Sequence, residues 1–178
     1  MSDQKFKRTK KLHKAIKLNL KRRTVIVDDK LVFHKNVPIP SWIELSIIDV
    51  CNRSCSFCPK SDPKIAPDTY QKMTMELVNK LTNDLKKINY QGSVTLCGYG
   101  EPMLHKNVFE ISKKLAEASF VEVVTNGDTL KAEAITKLYN SNVNNALIRR
   151  YDDPDQETKF KKMTEEAKVP KEFVILSD

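Results

Sequence analysis

Apolar residues in this chain change period several times, and each change marks an element. Over residues 42–50, Ile43, Leu45 and Ile47 alternate with Glu44, Ser46 and Ile48, which predicts a strand. Residues 60–71 hold Pro63, Pro67 and several polar residues and read as loop. A helix is predicted over 75–88, with Leu77, Leu81, Leu85 and Ile88 on one face, Thr74 as N-cap and Glu76 near the positive end of the dipole. Gly92 separates it from a second strand, 93–97. Asn107 opens the next helix, with Glu110 at capping-box distance and Val108, Ile111 and Leu115 facing the core. A third strand, 120–124, ends at Thr125-Asn126-Gly127, and a third helix over 131–139 buries Ile135 and Leu138. Strand 145–151, helix 156–167 with Phe160 and Met163, and a last β-prone run, 173–177, complete the alternation. Before all of this, 24–27 and 31–34 are short β-prone runs around Asp28-Asp29-Lys30 and predict a hairpin, punctuated by Pro38 and Pro40.

Strands alternating with helices of this length imply βα units and a parallel sheet, so the predicted class is α/β. Three unusual segments each follow a predicted strand: residues 51–58, the Gly98-Tyr99-Gly100-Glu101-Pro102 loop, and the Thr125-Asn126-Gly127 turn. In parallel α/β folds the C-terminal edge of the sheet is where ligands bind.

The first segment carries the sharpest chemistry. Cys51, Cys55 and Cys58 are three of the four cysteines in the chain. Such close spacing in a sequence that starts without a signal peptide's apolar region points to metal or redox chemistry in a reducing, cytoplasmic setting. Three thiolates serve three irons of a four-iron cubane and leave the fourth for another ligand. Cys97 reads either as a small buried residue or as a fourth ligand. His13, His34 and His105 show no metal spacing with one another; His105 reads as a surface-loop histidine or as one that lines the site.

Composition adds one feature. The chain has 178 residues and a net charge of +8, but residues 1–23 hold ten Lys/Arg against Asp3 and so carry +9, leaving −1 for the rest. Residues 1–23 are therefore a basic arm, 24–40 a β-prone preface, and 41–178 the main domain. The arm reads as a solvated tail or as a nucleic-acid contact. Leu12, Ile16 and Leu20 recur at helical spacing, which predicts an amphipathic stretch docked on the body of the protein. No apolar run has the length of a membrane span.

Cys51, Cys55 and Cys58 in a C-x3-C-x2-C pattern, with Phe57 before the last cysteine, resemble the radical S-adenosylmethionine (radical SAM) enzymes. Tyr99-Gly100-Glu101-Pro102 is similar to that family's Gly-Gly-Glu motif, with Tyr in place of the first Gly. The resemblance covers about residues 42–152. It implies a partial (β/α) barrel, a 4Fe-4S cluster on Cys51, Cys55 and Cys58, and S-adenosylmethionine chelating the remaining iron. Reductive cleavage would give a 5′-deoxyadenosyl radical that abstracts a substrate hydrogen. Gly100, Glu101 and Pro102 would hold the methionine moiety, the Glu101 carboxylate suiting its ammonium. Alone, that loop also reads as a tight turn with an exposed acid. Thr125, Asn126 and Gly127 either approach the cofactor or form a plain Asn-Gly turn. Asp152 either accepts a ribose hydroxyl or is a surface acid.

Asn52 and Pro59 recur in the branch that often carries a C-terminal SPASM-type cluster domain, and many of its members modify peptides or small metabolites. The resemblance also implies an electron donor such as flavodoxin or ferredoxin. Against that pattern the chain reads as cut short after four to five βα units, with no second cysteine cluster. Either the sequence is an inactive fragment of a longer enzyme, or a partner chain or its own dimer completes the barrel. The competing class is a non-catalytic cluster or zinc module using Cys51, Cys55, Cys58 and Cys97.

Overall fold

A computed structural model describes residues 32–152 and 154–177. The basic arm and the 24–27 run lie outside the described residues. A hairpin is present, but it pairs β1 (Val32–His34) with β2 (Val37–Ile39). Its turn is Lys35-Asn36, both at positive φ (49° and 66°), the geometry that suits a two-residue hairpin. Pro38 is tolerated because a two-stranded ribbon leaves one side of each strand unpaired.

The main sheet consists of β3 (Trp42–Leu45), β4 (Ser93–Leu96), β5 (Phe120–Thr125), β6 (Asn145–Arg149) and β7 (Val174–Ser177), in that order and all parallel. Helices α1 (Met75–Lys87), α2 (Val108–Leu115), α3 (Ala132–Asn140) and α4 (Pro154–Ala167) make the crossovers from β3 onward. This is the expected α/β partial barrel. The predicted first strand is shorter than its alternation suggested. After Leu45 the chain leaves the parallel ladder, and Met73 N donates to Ile47 O at 2.9 Å while Asp49 N donates to Gln71 O at 3.3 Å.

The core lies between the helices and one face of the sheet. Val94, Leu96, Val121, Val123 and Ala146 from the strands meet Val78, Leu85, Ile111, Leu115, Ile135 and Leu138, all buried. Phe160 of α4 packs with Leu130 and Ile148 beside it. The buried face of α1 runs through Val78, Thr82 and Leu85; of the predicted stripe, Leu85 is buried, Leu81 and Ile88 are partly buried against the core, and Leu77 is exposed. Thr82 can be buried because its hydroxyl donates to Val78 O at 2.9 Å. Thr74 caps α1 as predicted, accepting from Leu77 N. Asn107 is the N-cap of α2 but makes no side-chain cap bond, so no capping box forms there. On the opposite face Glu44, Thr95, Glu122 and Asn145 form one polar row in register across four adjacent strands, and Val124, Leu147 and Ile175 form an apolar row beyond it.

His105 does its work inside the fold. It is buried; its Nδ1 accepts from Asn107 N at 3.1 Å and its Nε2 lies 3.2 Å from Met73 O. An accepting Nδ1 requires the neutral ring, with Nε2–H donating to the carbonyl. Burial, aided by Lys72 and Lys106, holds its pKa below the ordinary histidine value. Unfolding therefore frees a group that binds protons more readily, and stability present above the unfolded histidine pKa is lost as pH falls from there through the lower folded pKa. Denaturant titrations at pH 7 and pH 5 are expected to show a lower midpoint at pH 5, with a smaller pH difference in His105→Gln.

Candidate active site

The predicted chemistry-bearing segments converge at the C-terminal edge of the sheet. Cys51, Cys55 and Cys58 share the wall of a cavity of about 160 Å³ with Cys97, Gly100, Glu101, Thr125 and Asn126. Pro102 and Asp152 are not among its lining residues. Pro102 is buried and opens a short 3-10 turn, Pro102–Leu104, that carries the chain away toward α2. A larger cleft of about 380 Å³ opens at the other end of the sheet, around Tyr90, Gly92 and Phe120, and contains no cysteine.

The cysteine loop takes its shape from its own main chain. Cys58 N donates to Cys55 O at 2.8 Å, and Ser61 N and Oγ both donate to Cys58 O. Three thiols on one wall are a soft donor set suited to iron–sulfur chemistry. Among the described residues no three His, Cys, Asp or Glu side chains are drawn together as a ready-made metal cage. Burial raises the Cys51 thiol pKa, and burial with the nearby Glu44 and Glu122 pushes Cys97 up to about 12. A thiol that reluctant to ionise is a poor ligand until a metal or cation lowers its pKa.

The glycine loop docks on the cysteine segment without a gap. A Cβ at Gly100 would lie 1.9 Å from Ile48 O and 2.7 Å from Ile48 C. Glu101 N donates to Val50 O at 2.9 Å, one residue before Cys51. Only glycine permits this backbone contact.

Glu101 is 3 % exposed, which removes the exposed-turn reading. Its Oε1 accepts from Thr125 Oγ1 at 2.7 Å and Met103 N at 3.0 Å, and its Oε2 from Asn126 N at 2.8 Å. Burial holds its carboxyl above the usual carboxylate range, and the three donors oppose that shift. No Lys or Arg among the described residues forms an ion pair with it. A carboxylate offers about four acceptor directions, so one remains for a further donor.

The Thr125-Asn126-Gly127 turn ties β5 to both other loops. Asn126 Nδ2 donates to Asn52 Oδ1 at 2.8 Å and lies 3.9 Å from Cys51 Sγ. Gly127 alone of the three is at positive φ (76°), and a Cβ there would strike the Phe160 ring. Asp152 is engaged by Arg53, a residue the sequence did not single out, and by Gln156. At the rim, the Phe57 and Tyr151 ring centroids are 5.7 Å apart, and Tyr99 is exposed. Among the described residues no helix is long and apolar enough to cross a membrane.

A family model described as the radical SAM superfamily matches residues 45–170. The S-adenosyl-L-methionine-dependent 2-deoxy-scyllo-inosamine dehydrogenase of Niallia circulans is 26 % identical over 114 residues, covering 62 % of this chain and 45 % of that protein. Among solved structures, BtrN in complex with AdoMet and 2-DOIA superposes with a TM-score of 0.65 at 22 % identity, over 78 % of this chain and 56 % of the other. Selenomethionine BtrN in an open conformation gives 0.60 at 23 % identity, over 85 % and 58 %. The chain spans about half the length of the curated relative it matches, and the structural likeness shows a shared fold. With the family match spanning most of its length, this chain belongs to the radical SAM superfamily, enzymes whose cofactors are a 4Fe-4S cluster and S-adenosylmethionine.

Proposed function

We propose that Cys51, Cys55 and Cys58 hold the 4Fe-4S cluster and that the Gly100-Glu101 loop holds the methionine end of S-adenosylmethionine beside it. One observation carries this reading: three cysteines share a cavity wall with a buried carboxylate that has no cationic partner among the described residues. When bound and reduced, the cluster supplies the electron that splits S-adenosylmethionine into methionine and a 5′-deoxyadenosyl radical able to take a substrate hydrogen. The protein's own residues orient and shield. Glu101 accepts a bond from the methionine ammonium in its remaining direction. Such an ammonium also restores the charge balance that burial of Glu101 disturbs. Gly100 keeps the two loops in contact, and Thr125 and Asn126 fix the carboxylate's orientation.

The relative's name gives 2-deoxy-scyllo-inosamine, and the polar row of Glu44, Thr95, Glu122 and Asn145 suits a small polar metabolite better than an apolar one. An electron donor of the flavodoxin or ferredoxin kind completes the reading, as does a partner chain that completes the barrel.

Anaerobic reconstitution with iron and sulfide, followed by reductant and S-adenosylmethionine, is expected to yield 5′-deoxyadenosine. A cluster that forms yet never cleaves the cofactor would overturn the catalytic half of the proposal.

A second reading keeps a footing because Cys97 lines the same cavity. In it, Cys97 closes a four-thiol site and no open position remains. Cys97→Ala decides between them. A three-thiol site is expected to retain about four irons per chain in the variant, whereas a four-thiol site loses most of its metal.

A further inference from the structure

Arg53 sits inside the cysteine loop, between Cys51 and Cys55, and its guanidinium is forked between two carboxylates. Nε and Nη2 donate to Asp128 Oδ2 and Oδ1, both at 2.6 Å. Nη1 and Nη2 donate to Asp152 Oδ1 and Oδ2 at 3.0 and 2.7 Å. Four directed bonds thus use four of the five N–H donors. Asp128 follows the turn after β5 and Asp152 follows β6, 75 and 99 residues away in sequence. The guanidinium carbon lies 5.2 Å from the Tyr151 ring centroid, which covers one face of it. Asn52 Nδ2 adds a fifth bond to Asp128 at 3.2 Å.

We infer that Arg53 is a positioning residue: it latches the cysteine loop across the ends of β5 and β6 and so sets where the three thiols stand. The other loop contacts do not do this. The bonds within residues 55–61 fix local shape only, and Glu101 N to Val50 O anchors the segment just before the loop. The Arg53 fork and the Asn52 amide bind the loop itself to the far strands. A planar fork can hold two carboxylates in fixed relative orientation, and a lysine ammonium cannot. Asp152 thereby acquires a role on this chain that competes with a ribose contact, since Arg53 engages both of its oxygens.

The inference rests on the cluster reading for its consequence, and its test separates the two. Arg53→Lys, Arg53→Ala and Asp128→Asn are compared with the wild-type full chain. In the metal-free proteins, hydrogen exchange of peptides spanning residues 51–58 is expected to accelerate in all three, with α2 and β4 unchanged. After reconstitution, loss of iron to a chelator is expected to speed up by about 10-fold or more, the scale typical for removing a residue that orients metal ligands. The EPR signal of the reduced cluster is expected to broaden, and Arg53→Lys is not expected to rescue it. Unchanged exchange across 51–58 overturns the latch. So does a uniform loss of thermal stability with normal chelator kinetics, which marks a merely structural ion pair. A wild-type protein that takes up no cluster overturns the cluster reading instead, and the exchange data still decide the latch.

Discussion

Replacing Cys55 by alanine is expected to leave a folded protein with almost no cluster and no formation of 5′-deoxyadenosine. The expectation has two parts. The fold survives because the loop does not depend on the Cys55 side chain. Its backbone carbonyl accepts from Cys58 N, Arg53 grips Asp128 and Asp152, and Asn52 bonds the Asn126 turn. The thiol itself makes no hydrogen bond among the described residues, so circular dichroism and the melting temperature of the metal-free protein should barely move. The cluster fails because a cubane held by two protein thiolates has two irons without a protein ligand, and a single cofactor fills only one. Iron per chain should fall from about four to near zero. Cys51→Ala and Cys58→Ala should behave alike. Retention of a full cluster by any of the three would remove that cysteine from the ligand set.

The alternation of strand and helix patterns read the βα order correctly from β3 to β7, because each element's buried face is set by its own sequence. The convergence of the three loops followed from topology alone: whatever succeeds the strands of a parallel sheet meets at one edge. What the sequence hid are contacts between residues far apart. Arg53 carries no local signal, since its partners lie in turns whose separation depends on the curvature of the whole sheet. His105 reads as a loop residue because its acceptor, Met73 O, belongs to a segment that pairs with residues 47–49 only after folding. Glu101 sits in a polar loop, and its burial depends on Thr125 and Asn126 arriving from β5. The pairing of 32–34 with 37–39 went unread for a local reason, and the predicted partner run, 24–27, lies outside the described residues. Pro38 looked like punctuation, yet a two-stranded ribbon accommodates it, and Lys35-Asn36 lacks the glycine that usually marks such a turn.

Gly100→Ala is the most destructive single-methyl change this fold offers near the cavity. A methyl group there would sit 1.9 Å from the Ile48 carbonyl oxygen and 3.1 Å from that of Val50. These are backbone atoms, so no side chain can swing aside. Either the glycine loop lifts off or residues 48–50 bend away, and both movements break the 2.9 Å bond from Glu101 N to Val50 O. Overpacking at a flexible site costs about 1–3 kcal/mol; against rigid backbone the upper end or beyond is expected, about 3 kcal/mol or more. The damage does not stop at stability. Residue 48 leads directly into the cysteine loop, and Glu101 is held by Thr125 and Asn126, so the displacement separates the cysteines from the carboxylate that shares their cavity. Equilibrium denaturation is expected to show the loss, and reconstituted protein should bind S-adenosylmethionine at least about 10-fold more weakly. Tyr99→Ala, one residue earlier and exposed, provides the control and should stay within about 0.5 kcal/mol of wild type. Equal stability of the two variants would mean that the glycine loop yields freely, and the close contact would then be no constraint on the site.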